Sequence, residues 1–187
     1  MTFRILPVYL LLLAAFCSGC RKKEKVPTEK PGYFSIMQFT ADQWESFSGQ
    51  PYVLEKRVTL NGKTDTALLS AMQIGWGDIF KIFFETDINK PELTDKYDFE
   101  VLGDNTTQSK ILSYTARDPK LFTQKLQVTV DAYNNKIRNI YIEAARSSFW
   151  RKQTKKLLYS PLRVIQIQEH TEPLVGAGKD LLIEYKF

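Results

Sequence analysis

The segment VLEKRVTLNGKTDTALL, residues 53–69, contains the clearest signal for local structure in the chain. Two extended runs flank the dipeptide Asn61-Gly62. Both residues tolerate the positive φ angles at the centre of a type I′ turn, and this dipeptide is the strongest short-range signal for a hairpin. The segment therefore predicts two antiparallel strands joined by a two-residue turn.

The residues after the hairpin change to a helical period. Trp76, Ile79, Phe80 and Phe83 follow the spacing i, i+3, i+4 and i+7, with charged residues on the other side. Pro91 lies just beyond and prevents continuation of a helix. This stretch predicts the main helix of the protein.

A shorter helix is predicted ahead of the hairpin. Thr40 is placed to act as an N-cap, and Gln43, three residues later, completes a capping box. Gly49 is suited to the position that follows a helix C-terminus. The predicted helix covers residues 41–48.

The remainder of the chain alternates between apolar and polar residues with a period of two, as strands with one covered face do. Turn-forming residues separate seven predicted strands, at 97–102, 110–116, 125–130, 137–144, 153–159, 162–169 and 181–187. We expect an α+β fold in which a curled antiparallel β-meander packs on the main helix. Residues 34–187 are expected to form this single domain.

The N-terminal stretch LPVYLLLLAAFCSGCRKKEK, residues 6–25, predicts export. Its apolar run, Ile5–Phe16, has 12 residues, fewer than the roughly 20 that a membrane-spanning helix needs. A basic start, a short apolar core and small residues at the end are typical of a signal peptide. Ser18-Gly19-Cys20 resembles the lipobox of bacterial lipoproteins, which implies cleavage after residue 19 and a diacylglycerol on Cys20.

An ordinary signal peptide, in which Cys17 and Cys20 are incidental, is the alternative. With the lipobox, residues 1–19 are the lipoprotein signal peptide and residues 20–33 are a lipidated cysteine followed by a basic, flexible tether. Arg21, rather than Asp, follows the cysteine, which by resemblance to other lipoproteins favours the outer membrane. We expect the protein to face the periplasm there, with the lipid anchor as its membrane contact.

The hairpin KRVTLNGKTDT, the helix WGDIFKIFFETDINKP and the run of strands resemble a group of uncharacterised bacterial envelope lipoproteins. The likeness extends over most of the domain, and its most specific part is the Trp76 helix with the DINKP turn. The resemblance implies an envelope lipoprotein and implies no activity.

No catalytic or cofactor-binding pattern is found in the sequence. The chain has one histidine, His170, which we interpret as a surface residue at a strand end, and it lacks a Gly-x-Ser-x-Gly motif. We expect no metal, nucleotide or redox cofactor, no nucleic acid partner and no enzymatic activity. The carboxylates Asp78, Glu85 and Asp87 leave a hydrolase as a minor alternative, although Asp87 suits a local turn.

Two groups of aromatic residues are candidate binding surfaces. Trp150, Arg151 and Lys152 combine aromatic and basic character and could contact a membrane or a protein partner; alternatively, the lysines protect an edge strand. The other group would line a pocket for an apolar ligand or fill the core, and consists of Trp76, Phe80, Phe83 and Phe84. Thr66 is a candidate O-glycosylation site.

These observations give three hypotheses for function. The favoured one is a non-catalytic, lipid-anchored envelope protein that binds a protein partner or supports an assembly. The second is a carrier or sensor of an apolar ligand, and the third is the carboxylate-based hydrolase.

Overall fold

The computed structural model describes residues 33–47 and 49–187. The predicted signal peptide, Cys20 and tether residues 20–32 lie outside the described residues. The described part contains helices α1, Ile36–Phe47, and α2, Trp76–Phe84. Its strands are β1 Val53–Leu60, β2 Lys63–Ser70, β3 Tyr97–Asp104, β4 Ser109–Ala116, β5 Thr123–Asp131, β6 Ile137–Ser147, β7 Arg151–Ser160, β8 Val164–Pro173 and β9 Lys179–Lys186.

All nine strands belong to one antiparallel sheet with the order β2-β1-β9-β8-β7-β6-β5-β4-β3. From β3 to β9 each strand pairs with the next one in the chain, and β9 then pairs with β1. The predicted α+β class and the predicted antiparallel sheet are confirmed. Strands β2 and β3 form the two open edges.

The β1–β2 hairpin forms as predicted. Asn61 and Gly62 have φ angles of 48° and 82°, and Leu60 lies opposite Lys63. These positive φ angles are the reason that the turn requires this dipeptide.

Helix α2 packs its apolar side into the core. Trp76, Ile79, Phe80 and Phe83 are buried, as the helical period predicts. The rings of Phe80 and Phe83 lie 6.0 and 6.2 Å from the ring of Tyr159 in β7. The sheet contributes the other buried apolar side chains, among them Leu54, Leu126, Val128, Ile140, Ile142, Leu157, Ile165 and Ile167.

The predicted start of α1 is wrong. The helix begins at Ile36, so Thr40 lies inside it, buried, with Oγ1 donating to the carbonyl of Ile36 at 2.8 Å. The helix is capped locally by Ser35, whose hydroxyl oxygen accepts from the amide of Gln38 at 3.1 Å. Asp87 adds a distant acceptor for the amides of Ile36 and Met37, at 3.3 and 3.2 Å. Gly49 has a φ of 77°, as expected for a residue that follows a helix.

All seven strands predicted after α2 are present, most of them one to three residues longer than predicted. Strand β8 differs at its start, since it begins at Val164 rather than at residue 162. Leu162 has a φ of 53° and belongs to the turn between β7 and β8. The left-handed conformation of this residue is incompatible with a strand.

Antiparallel pairing places the connections alternately at two ends of the sheet. The β1–β2, β4–β5, β6–β7 and β8–β9 connections share one end, which we call the Trp150 end. The β3–β4, β5–β6 and β7–β8 connections share the opposite end, which we call the Tyr133 end, and the β2–β3 connection, which contains α2, runs from that end to the Trp150 end. Within residues 33–47 and 49–187, no helix combines the length and hydropathy that a membrane span requires.

Candidate functional site

Four apolar side chains are exposed together at the Trp150 end. Phe149 and Trp150 of the β6–β7 connection are 78% and 70% exposed, and Leu174 and Val175 of the β8–β9 connection are 59% and 87% exposed. We call these four residues the apolar tip. A contiguous patch of large, exposed apolar side chains marks a surface that contacts a protein or a membrane.

Backbone hydrogen bonds hold the two connections side by side. The amide of Leu174 donates to the carbonyl of Trp150 at 2.8 Å. Ser148 and Arg151 exchange backbone hydrogen bonds of 2.9 and 3.3 Å, which close the β6–β7 connection into a tight turn. The rings of Phe149 and Trp150 meet edge to face at 4.8 Å. These contacts hold the apolar residues of the two connections next to one another.

Basic residues surround the tip. The segment RSSFWRK, residues 146–152, contains three basic residues and no acidic one. Arg146 lies over the ring of Phe122 at 4.7 Å, whereas the side chains of Arg151 and Lys152 are exposed beside Trp150. A surface depression of about 220 Å³ lies between the two connections and is lined by residues 148–152 and 172–174.

The sequence predicted Trp150, Arg151 and Lys152 as a binding surface, and the structure places them at one exposed site. The alternative, that the lysines protect an edge strand, is wrong because β7 lies between β6 and β8. Sequence reasoning missed Leu174 and Val175. Two apolar residues between Pro173 and Gly176, in a turn where polar residues are expected, were the available signal.

The open edge at β3 is a second surface that the sequence did not indicate. Phe99, Val101 and Leu102 are each about half exposed. The carbonyl of Lys96 accepts from the amide of Arg117 on the β4 side. Because backbone groups alternate along a strand, the amides of Phe99 and Val101 are directed away from β4, toward the open edge.

The aromatic residues proposed for a ligand pocket lie on α2. Trp76, Phe80 and Phe83 are buried and Phe84 is half-buried. Trp76 stacks on Phe80 at 6.0 Å, and its indole N–H donates to the carbonyl of Ala71 at 2.9 Å. These residues therefore belong to the core, and none of the four lines the depression of about 270 Å³ nearby, whose lining consists of Lys56, Leu69, Gln73, Ile74, Gly75, Asp78, Ile79 and Tyr185.

The three candidate carboxylates do not have the same surroundings. Asp78 and Glu85 are exposed, whereas Asp87 is buried. Besides the two amides of α1, Asp87 accepts hydrogen bonds from the hydroxyl of Ser35 at 3.1 Å and the amide of Asn89 at 3.0 Å. Four donors thus occupy Asp87, including the local turn contact that the sequence predicted.

His170 forms a surface cluster with two carboxylates. Its Nδ1 lies 2.5 Å from Asp180 Oδ1 and its Nε2 lies 3.0 Å from Glu172 Oε1. Hydrogen bonds to Asp180 and then Glu172 raise the pKa of His170 above its usual value of 6.5. Thr66, the candidate glycosylation site, is exposed on the edge strand β2.

Comparison with protein-family models, curated proteins and solved structures finds no match for this chain.

Proposed function

We propose that the protein is a non-catalytic, lipid-anchored envelope lipoprotein that binds a protein partner at the periplasmic face of the outer membrane. In this proposal Cys20 carries the lipid, residues 21–32 are the tether, and the sheet curls over α2 to form the folded domain. The observation that supports partner binding is the open edge at β3.

Strand β3 lacks the two residue types that most often protect edge strands. It spans eight residues and contains neither lysine nor proline, and its charged residues are all acidic: Asp98, Glu100 and Asp104. Edge β2, in contrast, begins with Lys63 and has polar residues at its first four positions. An open, partly apolar edge accepts an extended segment from another protein by strand addition, in which backbone hydrogen bonds supply affinity.

The side chains of β3 define the kind of segment that fits. Phe99 and Val101 lie on one face, while Asp98 and Glu100 lie on the other and are exposed. Asp98 is paired with Arg117 at 2.7 Å, so Glu100 is the better contact for a partner. We expect a partner strand with apolar residues facing Phe99 and Val101 and a basic residue facing Glu100.

Photo-crosslinking in cells tests this proposal. Benzoylphenylalanine in place of Phe99 is a conservative replacement on the open edge, and the same residue in place of Leu68 is the matched control on edge β2. A discrete adduct from position 99 that is lost when Glu100 is replaced by Lys supports partner binding through β3. Equal adducts from positions 99 and 68, or none from position 99, contradict it.

The lipid anchor has its own test. A Cys20→Ser variant should leave the detergent phase and the membrane fraction, because the lipidated sulfur is missing. A conservative Cys17→Ser variant is the control and should behave as the parent does. A Cys20→Ser protein that stays in the membrane fraction as firmly as the parent contradicts the anchor.

The depression beside Tyr185 supports a carrier or sensor of an apolar ligand as the second candidate. It has Leu69, Ile74 and Ile79 in its lining, with Lys56 and Asp78 at polar positions. Its volume of about 270 Å³ is close to the lower limit for small-molecule sites. Native mass spectrometry of the protein purified from cells tests this candidate. A stoichiometric bound lipid that is lost in an Ile79→Asp variant favours the carrier.

A further inference from the structure

We infer that the apolar tip inserts into the interfacial region of an anionic lipid bilayer, with the basic residues around it at the level of the headgroups. This surface is separate from the β3 edge and gives the domain a defined orientation on the membrane.

The apolar side chains of the tip are positioned to contact a membrane. The four residues of the apolar tip lie on two adjoining connections at the Trp150 end and form one exposed apolar patch. Tryptophan is enriched where protein meets the membrane interface, since its ring is apolar and its N–H is polar. A partner protein would instead need a shaped pocket to cover such a projecting group.

Basic residues beside the tip favour contact with an anionic bilayer. Arg151 and Lys152 follow Trp150 directly, and the β6–β7 connection has no carboxylate. Glu172 and Asp180 are nearby carboxylates, and His170 between them offsets part of their negative charge, which leaves the basic residues in excess at the tip. Each basic residue close to an anionic bilayer surface strengthens binding.

The Tyr133 end lacks this combination. Tyr133 is exposed there, but its amide and that of Asn134 bind the carboxylate of Asp131. Leu162, also exposed, lies on a different turn. The Tyr133 end thus presents single apolar residues on separate turns, and its carboxylate Asp131 is paired with Arg138 at 2.7 Å. The contiguous apolar patch, rather than charge alone, distinguishes the Trp150 end.

The place at which the chain enters the domain also supports the inference. Strand β3 begins at the Trp150 end, and the amide of Tyr97 at its start donates to Tyr33 Oη at 3.4 Å. Tyr33, the first described residue, therefore lies at the same end of the sheet as the apolar tip.

Quenching of tryptophan fluorescence by brominated lipids tests the inference on the full chain. The chain has three tryptophans, of which Trp76 is buried and Trp44 packs against it at 6.5 Å. The protein is reconstituted into vesicles of equal amounts of phosphatidylcholine and phosphatidylglycerol with brominated acyl chains. We expect quenching of the parent and loss of most of that quenching in Trp150→Tyr.

A matched control moves the tryptophan to the opposite end of the sheet. The double variant Trp150→Tyr, Tyr133→Trp has the same composition as the parent, and we expect its new tryptophan to remain unquenched. Equal quenching of the double variant and the parent, or no quenching of the parent, overturns the inference. Thermal unfolding of each variant verifies that the fold is retained.

The role of charge is tested in the same assay. Arg151→Gln with Lys152→Gln, or vesicles of phosphatidylcholine alone, should reduce quenching of Trp150. Unchanged quenching in both cases overturns the part of the inference that concerns anionic lipid. A Cys20→Ser chain separates this inference from the lipid anchor, because the readout is local to Trp150. Quenching that persists in that variant, at higher lipid concentration, supports the tip even if the anchor is wrong.

Discussion

The carboxylate of Asp87 accepts the backbone amide of Ile36 at 3.3 Å, although the two residues are 51 positions apart in the sequence. This contact fixes the start of α1 at the C-terminal side of α2. It also connects the first described residues of the chain to the core, since Asp87 is followed by the fully buried Ile88. The point at which the chain enters the domain is therefore held by the interior of the protein.

Replacement of Asp87 by Ala should destabilise the protein. The substitution leaves the Ser35 cap of α1 in place but removes the acceptor of the buried Ile36 amide and of the Met37 amide. We therefore expect a loss of about 1–3 kcal/mol in the free energy of unfolding. Urea unfolding followed by circular dichroism measures the change. Asp42→Ala, at an exposed position of the same helix, is the control and should change stability much less.

Proline substitutions in β3 should distinguish the side of the strand that pairs with β4 from the side that is open. Val101→Pro removes an amide directed toward the open edge, which a folded edge strand tolerates. Leu102→Pro removes an amide on the β4 side and should cost about 1–3 kcal/mol more in unfolding free energy. Val101→Pro should still abolish the adduct from position 99 if a partner strand binds there. A normal adduct in that folded variant would argue against strand addition.

Tyr97 should contribute to unfolding at alkaline pH. Burial raises the pKa of Tyr97 from 10.0 to about 12, while its hydroxyl donates to the carbonyl of Thr123 at 2.9 Å. The folded state thus favours the neutral phenol, and this contribution is complete below pH 10 and is lost as the pH rises through about 12. Tyr97→Phe should show a smaller decline of stability over this range. The exposed Tyr133→Phe is the control and should decline as the parent does.

The imidazole of His170 should titrate above pH 6.5, because its two carboxylate neighbours favour the protonated form. Since the chain has a single histidine, its NMR signals need no further assignment. Asp180→Asn should lower the midpoint, and Glu172→Gln should lower it less. The stabilisation from protonation is present at low pH and is lost as the pH rises through the midpoint in the folded protein. A midpoint that is unchanged in both variants would disagree with the cluster geometry.

Local signals in the sequence predicted the elements that depend on nearby residues. The Asn61-Gly62 turn and the buried side of α2 follow from backbone conformation and helical period, so the sequence alone was sufficient for them. Helix α1 was different. Thr40 and Gln43 match a capping box, but the helix begins one turn earlier, where Ser35 accepts from the amide of Gln38 and offers the same local pattern. The second acceptor, the carboxylate of Asp87 51 residues away, is not contained in any local pattern.

The candidate surfaces also combine residues that a local sequence pattern indicates with residues that only the fold brings together. Trp150, Arg151 and Lys152 were predicted because aromatic and basic residues are adjacent in the sequence. Leu174 and Val175 join them only through the pairing of β7 with β8, which places two connections side by side. The open edge at β3 depends on the strand order of the complete sheet, which a single sequence does not reveal.

Strand β9 lies between the β1–β2 hairpin and the rest of the sheet, with Asn61 bonded to Asp180, 119 residues later. The hairpin is made before the other strands of the sheet, but its neighbour β9 is made after all of them. Until residues 179–186 are available, β1 and β8 each present an open edge, and unfinished chains with such edges are prone to misassembly and proteolysis. Closing a connection of this length also makes folding slow. The strand order thus acts as a test of completeness, since a prematurely terminated chain cannot join its hairpin to the rest of the sheet.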